Sequence, residues 1–208
     1  MRPLCVAGPV GSATIERLSA QDAETFQFSL AELLVEAVEE ESSLGFFHPL
    51  GLDEAKRYWL SLRDEVRLGT RLLIAARASD RVVAAAQLVL PSWPNAQHRA
   101  EVQKVIVAAT SRRSRLGSCL MAHVHRVARE EGRTLLLLNA RADSGAERFY
   151  RAIGYREAGV VPGYSLGPNN ERFDNKLLFY GLSPHSVPGT DPPGCPLRGG
   201  LPSGTKVR

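Results

Sequence analysis

Apolar positions fall on one helical stripe in SLAELLVEAVEEES, where Leu30, Leu33, Leu34 and Val38 predict an amphipathic helix running toward Gly45. Just upstream, ATIERLS alternates like a short strand, and Ser19 followed by Asp22 resembles a capping box that opens the helical stretch. GFFHPLG reads as a loop, after which Asp53 caps a second amphipathic helix, DEAKRYWLSLRDEVRLG, closed by Gly69. TRLLIAARA and RVVAAAQLVL form two strands joined by the turn residues Ser79 and Asp80. A Pro and Asn loop leads to the strand AEVQKVIVA, then a helix, SCLMAHVHRVAREEG, with Leu120, Val124 and Val127 on one stripe. TLLLLNA is continuously apolar, as expected of a strand buried on both faces. AERFYRAIG gives one more helix, and YREAGVV and NKLLFYGL give the last strands around a PGYSLGPNN loop. Strands alternating with helices in this way predict an α/β fold of the mixed α+β kind, a mixed sheet with helices on both faces.

The ends of the chain read differently. Residues 1–13 form a flexible lead-in, too broken by Gly8, Pro9 and Gly11 for a secretory h-region. From Ser183 to Arg208, 11 of 26 residues are Pro or Gly, a composition that predicts a disordered tail because it cannot bury a core. One domain over residues 14–182 remains, which suits a chain of 208 residues. No apolar run reaches the roughly 18 residues of a membrane span, so no membrane partner is expected. Cys5, Cys119 and Cys195 are odd in number, far apart and without a CxxC, so neither a disulfide framework nor a zinc knuckle is encoded, and a cytoplasmic location fits. His123 and His125 stand two apart on a helix and face different ways, and no HExxH or GxSxG occurs, so metal hydrolysis and a serine elbow are not expected.

Charge changes the picture most between Gln97 and Arg129. The net charge of +4 is modest, yet the only acid in this segment is Glu101, against Arg99, Lys104, Arg112, Arg113, Arg115, Arg126 and Arg129. Three of these arginines crowd TSRRSRLGSCLMAH, the connection from a strand to a helix start. Unpaired N–H groups of a first helical turn and the helix dipole attract anions, so an arginine-bearing connection of this kind suits a phosphate. The spacing fits neither a Walker loop nor GxGxxG. A solvated arginine-rich surface is the bland alternative in a chain with 22 Arg and 4 Lys. Nucleic-acid binding lacks aromatic interleaving or a recognisable motif.

The blocks RAEVQKVIV (99–107), SRRSRLGSCLM (111–121), LLLLNARADSGAERFYRAIGY (135–155) and PGY (162–164), in that order and spacing, resemble the GCN5-related N-acetyltransferase (GNAT) family. Within it, NAQHRAEVQK and SLGF look most like the tabtoxin resistance protein and similar small-molecule acetyltransferases. The resemblance implies a mostly antiparallel, twisted sheet of about seven strands, with a V-shaped splay that holds acetyl-CoA. It also implies acetyl transfer to a small-molecule amine, such as an antibiotic, toxin or amino-acid derivative, hence an antibiotic-resistance type of role. No nucleic-acid partner is expected, and a homodimer is left open. On the family pattern the cofactor lies along Val105, Ile106 and Val107. Its diphosphate is held by Arg112, Arg113, Ser114, Arg115, Leu116, Gly117 and Ser118. Arg115 stands where the pattern has its first glycine. It either obstructs the cradle, since glycine admits dihedrals and close approach that larger residues resist, or points outward and adds a charge-assisted bond to phosphate.

Acyl transfer to an amine needs a neutral nucleophile, and an alkyl amine with a pKa near 10.4 is only about one part in a thousand neutral at pH 7. Glu101, the lone acid of the basic segment, is the candidate base, matching a proposed base in the resembling enzymes; pairing with Arg99 or Lys104 is the alternative. Tyr150 falls where the family places a tyrosine near the cofactor thiol, able to donate a proton as sulfur leaves; packing on the sheet is the alternative. Asn139 replaces an aspartate of that resemblance and can orient water or bond the cofactor arm, but cannot take a proton; it would otherwise cap the next helix. Leu44, Gly45, Phe46, Phe47, Trp93 and Tyr164 could line the acceptor pocket. Cys119 reads as a buried small hydrophobe.

Overall fold

The computed structural model describes residues 4–8, 11–40, 44–167 and 169–182. An eight-stranded sheet runs through the molecule in the order β1-β2-β3-β4-β5-β6-β8-β7. The strands are β1 (Leu4–Gly8), β2 (Gly11–Leu18), β3 (Arg71–Ala78), β4 (Arg81–Val89), β5 (Arg99–Val107), β6 (Leu135–Arg141), β7 (Arg156–Leu166) and β8 (Arg172–Gly181). All neighbours are antiparallel except β5 and β6, so β2–β8 supply the mostly antiparallel sheet expected from the sequence. The eighth strand, β1, arises in residues read as a loose lead-in and pairs with β2, Leu4 opposite Ile15. The tail from Ser183 lies outside the described residues.

Helices α1 (Ala20–Thr25), α2 (Gln27–Glu39), α3 (Leu52–Ser61) and α4 (Arg63–Leu68) cover one face, and α5 (Leu116–Glu130) and α6 (Gly145–Ala152) cover the other. The first core joins Leu30, Leu34 and Trp59 to Leu73, Ala75, Ala85 and Ile106; the second joins Leu120, Met121 and Val124 to Leu72, Ile74, Leu88, Val102, Leu136 and Leu138. Adjacent strand residues such as Leu72 and Leu73 serve opposite cores because successive side chains leave a strand on opposite sides. This explains why the central strands are apolar throughout.

Local chemistry sets the boundaries. The capping box expected at Ser19 is present: its Oγ accepts from Asp22 N–H at 3.1 Å, and the Asp22 carboxylate accepts from Ser19 N–H at 2.9 Å. Helix α2 ends at Glu39, short of Gly45, and Gly51 rather than Asp53 is the N-cap of α3, Asp53 lying in its first turn. The long helix expected before Gly69 breaks at Leu62 into α3 and α4. Gly69 closes it with φ of 73°, a left-handed conformation that suits a residue without Cβ. Ser144 caps α6 through its Oγ, so Asn139 is not the helix cap. Helix α5 starts at Leu116, two residues before the stretch read as helical, and β7 runs on into the PGYSL segment read as loop.

Candidate active site

The sheet opens where its two parallel strands part. β5 and β6 are paired at Arg99–Leu135, Ala100–Leu136 and Glu101–Leu137, and nowhere beyond. β6 continues against β8 through Arg141, and β5 continues against β4 through Val107. A bulge in β5 drives the separation: Gln103 faces Gln87 and Ile106 faces Ala85, so Lys104 and Val105 together oppose Ala86. Lys104 takes φ of 49° there. An extra residue of this kind bends and twists its strand. The edge of β5 along Val105, Ile106 and Val107 is thereby left without a β6 partner, and an extended ligand bearing amides can pair with such an edge.

Beside this opening lies the connection from β5 to α5. Its 3-10 turn at Ala109–Ser111 is tied to α2 by Ala109 N–H donating to Glu36 Oε1 at 2.6 Å. Arg112 braces the loop, its Nε donating to Val107 O at 3.0 Å and its guanidinium pairing with Glu40. Arg113 and Arg115 both have positive φ, 59° and 67°, and exposed side chains without a hydrogen bond or ion pair among the described residues. Left-handed residues within a short turn are the conformational ingredient of backbone anion nests. Arg115 is the N-cap of α5 and offers no side-chain cap, so the first-turn N–H groups of Leu116, Gly117 and Ser118 have no side-chain acceptor. The Arg115 side chain is exposed at the helix start. A Cβ on Gly117 would stand in ordinary contact, 3.5 Å from Phe149 and 3.6 Å from Val107. Uncapped amides and two guanidiniums unpaired among the described residues fit a diphosphate.

Glu101 marks the apex of the splay. It is half-buried, and its Oε1 accepts from Gln103 Nε2 at 3.0 Å. Neither Arg99 nor Lys104 forms an ion pair with it among the described residues, although its charge acts on Lys104. Gln103 belongs to a chain of hydrogen bonds: Arg71 donates to Gln103 at 3.1 Å and to Gln87 at 2.6 Å, pairs with Glu65 at 2.8 Å, and Gln87 donates to Tyr58 at 2.9 Å. Lys104 donates to Leu44 O at 2.5 Å and lies 5.5 Å and 5.6 Å from the rings of Phe46 and Tyr58. Burial lowers its pKa, with the Arg71 charge adding to that and Glu101 opposing it. Arg71, Gln87, Gln103 and Tyr58 were not singled out from the sequence. The polar Gln87 in an otherwise apolar strand was the available signal.

Asn139, exposed on β6, accepts from Asn175 Nδ2 at 3.0 Å and has its own Nδ2 3.4 Å from Tyr164 Oη. Register puts Glu101 and Leu137 side by side, so Glu101, Asn139 and Arg141 share the α1–α4 face on either side of the opening. Tyr150 lies on the other face, in the α5 and α6 core, with its ring 5.4 Å from Phe149 and 5.6 Å from Tyr155. Burial raises its pKa, which holds the phenol protonated. No hydrogen bond joins Tyr150 to Glu101 or Asn139 among the described residues; the splay lies between them. Phe46, Phe47 and Tyr164 line a cavity of about 610 Å³, and Gly45 does too; Leu44 and Trp93 do not. Trp93 is 72% exposed. Cys119 is fully buried, but it is disulfide-bonded rather than a free small hydrophobe; its partner's side chain lies outside the described residues. Among the described residues there is no metal-binding cluster, and no helix is long and apolar enough to cross a membrane.

A mixed sheet splayed between its two parallel strands leaves a free strand edge beside an uncapped helix start. The chain belongs to the acetyltransferase (GNAT) family, whose model matches residues 30–155. Its fold is shared with ribosomal-protein-alanine N-acetyltransferase from Brucella melitensis, at 21% identity and a TM-score of 0.64 over 81% of this chain and 99% of that one. An N-acetyltransferase from Staphylococcus aureus Mu50 matches at 16% identity and a TM-score of 0.66 over 82% and 99%. The yncA protein of Salmonella typhimurium, solved with its cofactor acetyl-CoA, matches at 15% identity and a TM-score of 0.64 over 86% and 98%. The protein is an acetyltransferase of this family, with acetyl-CoA as cofactor.

Proposed function

We propose that the protein is an N-acetyltransferase acting on a primary amine of a small molecule, an antibiotic, toxin or amino-acid derivative. Bound acetyl-CoA supplies the acetyl group as a thioester. Val105, Ile106 and Val107 would hold its extended arm along the free edge of β5, and Arg113, Ser114, Arg115, Leu116, Gly117 and Ser118 would hold its diphosphate, with Arg112 bracing the loop. Glu101 takes the proton of the acceptor ammonium, directly or through water; Asn139 orients that water or bonds the cofactor arm; Tyr150 donates a proton to sulfur from across the splay. The observation carrying this reading is Glu101 at the apex, where the strands part and its carboxylate is in ion-pair contact with no cation among the described residues.

The test is incubation of purified protein with acetyl-CoA and a panel of aminoglycosides, amino acids, polyamines and β-lactam-type toxins, following thiol release. Acceptor-dependent release with acetylamide product supports the reading, and release no faster than the acceptor-free rate overturns it. Arg115 at a glycine position and Asn139 at an aspartate position favour a second reading, a catalytically weakened member that binds acyl-CoA poorly. Calorimetric titration with acetyl-CoA separates the two, because weak or absent binding belongs to the second alone.

A further inference from the structure

The cavity of about 610 Å³ adjoins the apex through two of its walls. Tyr164 lines it and stands 3.4 Å from Asn139, and Phe46 lines it and stands 5.5 Å from Lys104. Its walls are otherwise mostly aromatic or apolar, and Arg141 is its one arginine. The Arg141 guanidinium lies 3.6 Å over the Phe173 ring, while its Nε is buried without a hydrogen-bond partner. The two carboxylates on the same lining do not neutralise it. Glu171 is engaged by Asn169 N–H at 2.8 Å, Glu39 is exposed at the end of α2, and among the described residues neither is in ion-pair contact with Arg141.

A guanidinium held over a ring, with no hydrogen-bond or ion-pair partner among the described residues, can offer its terminal N–H groups to a carboxylate in two parallel hydrogen bonds. Leaving it unpaired in a partly desolvated wall costs free energy that an arriving anion recovers. Arg141 also follows Asn139 by two residues on one strand, so both side chains leave the same face roughly 7 Å apart. An amine at Asn139 and Glu101 therefore stands a few bonds from a carboxylate at Arg141.

We infer that Arg141 is the carboxylate-recognition residue of the acceptor site, and that the acceptor is an amine carrying a carboxylate, of amino-acid size, with an apolar or aromatic body against Phe46, Phe47 and Phe173. This rests on the proposed acetyl transfer to an amine, but its binding chemistry can be read without turnover. Calorimetry compares N-acetyl-L-phenylalanine with N-acetyl-phenethylamine, which lacks the carboxylate, on wild-type protein saturated with coenzyme A, and again on R141Q and R141K. The expected result is at least tenfold tighter binding of the carboxylated probe to wild type, a ratio that collapses toward one in R141Q and is only partly kept in R141K. A wild-type ratio near one, or a ratio unchanged in R141Q, overturns the inference even if amines are acetylated. Conversely, a carboxylate preference with no thiol release from phenylalanine, lysine or any other amine sinks the proposed reaction and leaves the recognition site standing.

Discussion

Gln103 Nε2 donates to Glu101 Oε1 at 3.0 Å, and Gln103 is itself held by Arg71. The candidate base is thus aimed by an amide anchored to a guanidinium whose side chain is only 12% exposed, itself fixed to Glu65 and Gln87. A carboxylate held by one neutral donor keeps lone pairs free for an incoming ammonium, which direct pairing with Arg99 or Lys104 would have taken.

Glu101→Gln is expected to lower kcat by about 100-fold or more, the range ascribed to a positioned general base, while acetyl-CoA binding stays within about twofold. Steady-state kinetics with calorimetry checks both, and a kcat unaltered across a pH series would remove Glu101 from the mechanism.

Tyr150→Phe keeps the ring packing against Phe149 and Tyr155 and removes only the hydroxyl, which has no hydrogen-bond partner among the described residues. Thermal stability should change little, while kcat falls by about 100-fold or more if the phenol protonates departing sulfur. An unchanged kcat in a stably folded variant would mean that Tyr150 serves packing alone.

Much of this was legible in the sequence where a residue's own spacing determines its place. The Ser19 capping box, the hairpin at Ser79 and Asp80, the Gly69 stop and the order of strands and helices follow from local chemistry. Glu101 stood out as the lone acid of a basic segment, on a strand whose other members are largely apolar, Asn139 as the polar residue ending an apolar run, and the arginines as charge crowded into one connection. What escaped depends on pairing between distant segments. The bulge at Lys104 exists only relative to Gln87 and Ala85 on the neighbouring strand, and Arg71 meets Gln103 only once β3, β4 and β5 are assembled. Strand β1 was missed because a Gly and Pro-rich stretch reads as coil until β2 provides its ladder. The disulfide at Cys119 was missed for the same reason, since cysteine spacing says nothing about which distant chains meet.

Arg115 holds φ of 67° at the N-cap of α5, a left-handed conformation costing a residue with Cβ roughly 1–2 kcal/mol. Arg115→Gly should remove that strain and raise the thermal midpoint by about 2–8 °C, on the usual scaling for a domain of this size. It also deletes an exposed, unpaired cation beside the uncapped amides, so acetyl-CoA affinity should fall about three- to tenfold at low salt, with a weaker salt dependence. Tighter binding in the variant would show that the side chain obstructs the cradle.

Two histidines of α5 should make the fold acid-sensitive before its carboxylates do. Burial, helped by the Arg126 charge, lowers the pKa of His123 to about 4. Burial, helped by Arg129, lowers that of His125 to about 3, where the ring is stacked 4.4 Å from Tyr180 and joined to Tyr155 Oη at 3.1 Å. In the unfolded chain both take a proton near pH 6.5, whereas in the folded one they stay neutral until far lower pH. The unfolded state therefore binds more protons below pH 6.5. Stability is full above that value and falls as pH drops toward 4, by up to about 1.4 kcal/mol per pH unit for each histidine. Urea unfolding between pH 7.5 and 5 should show this decline in the wild type and about half the slope in His125→Gln, whose amide does not titrate. Equal slopes in the two proteins would mean that His125 gains its proton in the folded state as readily as in the unfolded one.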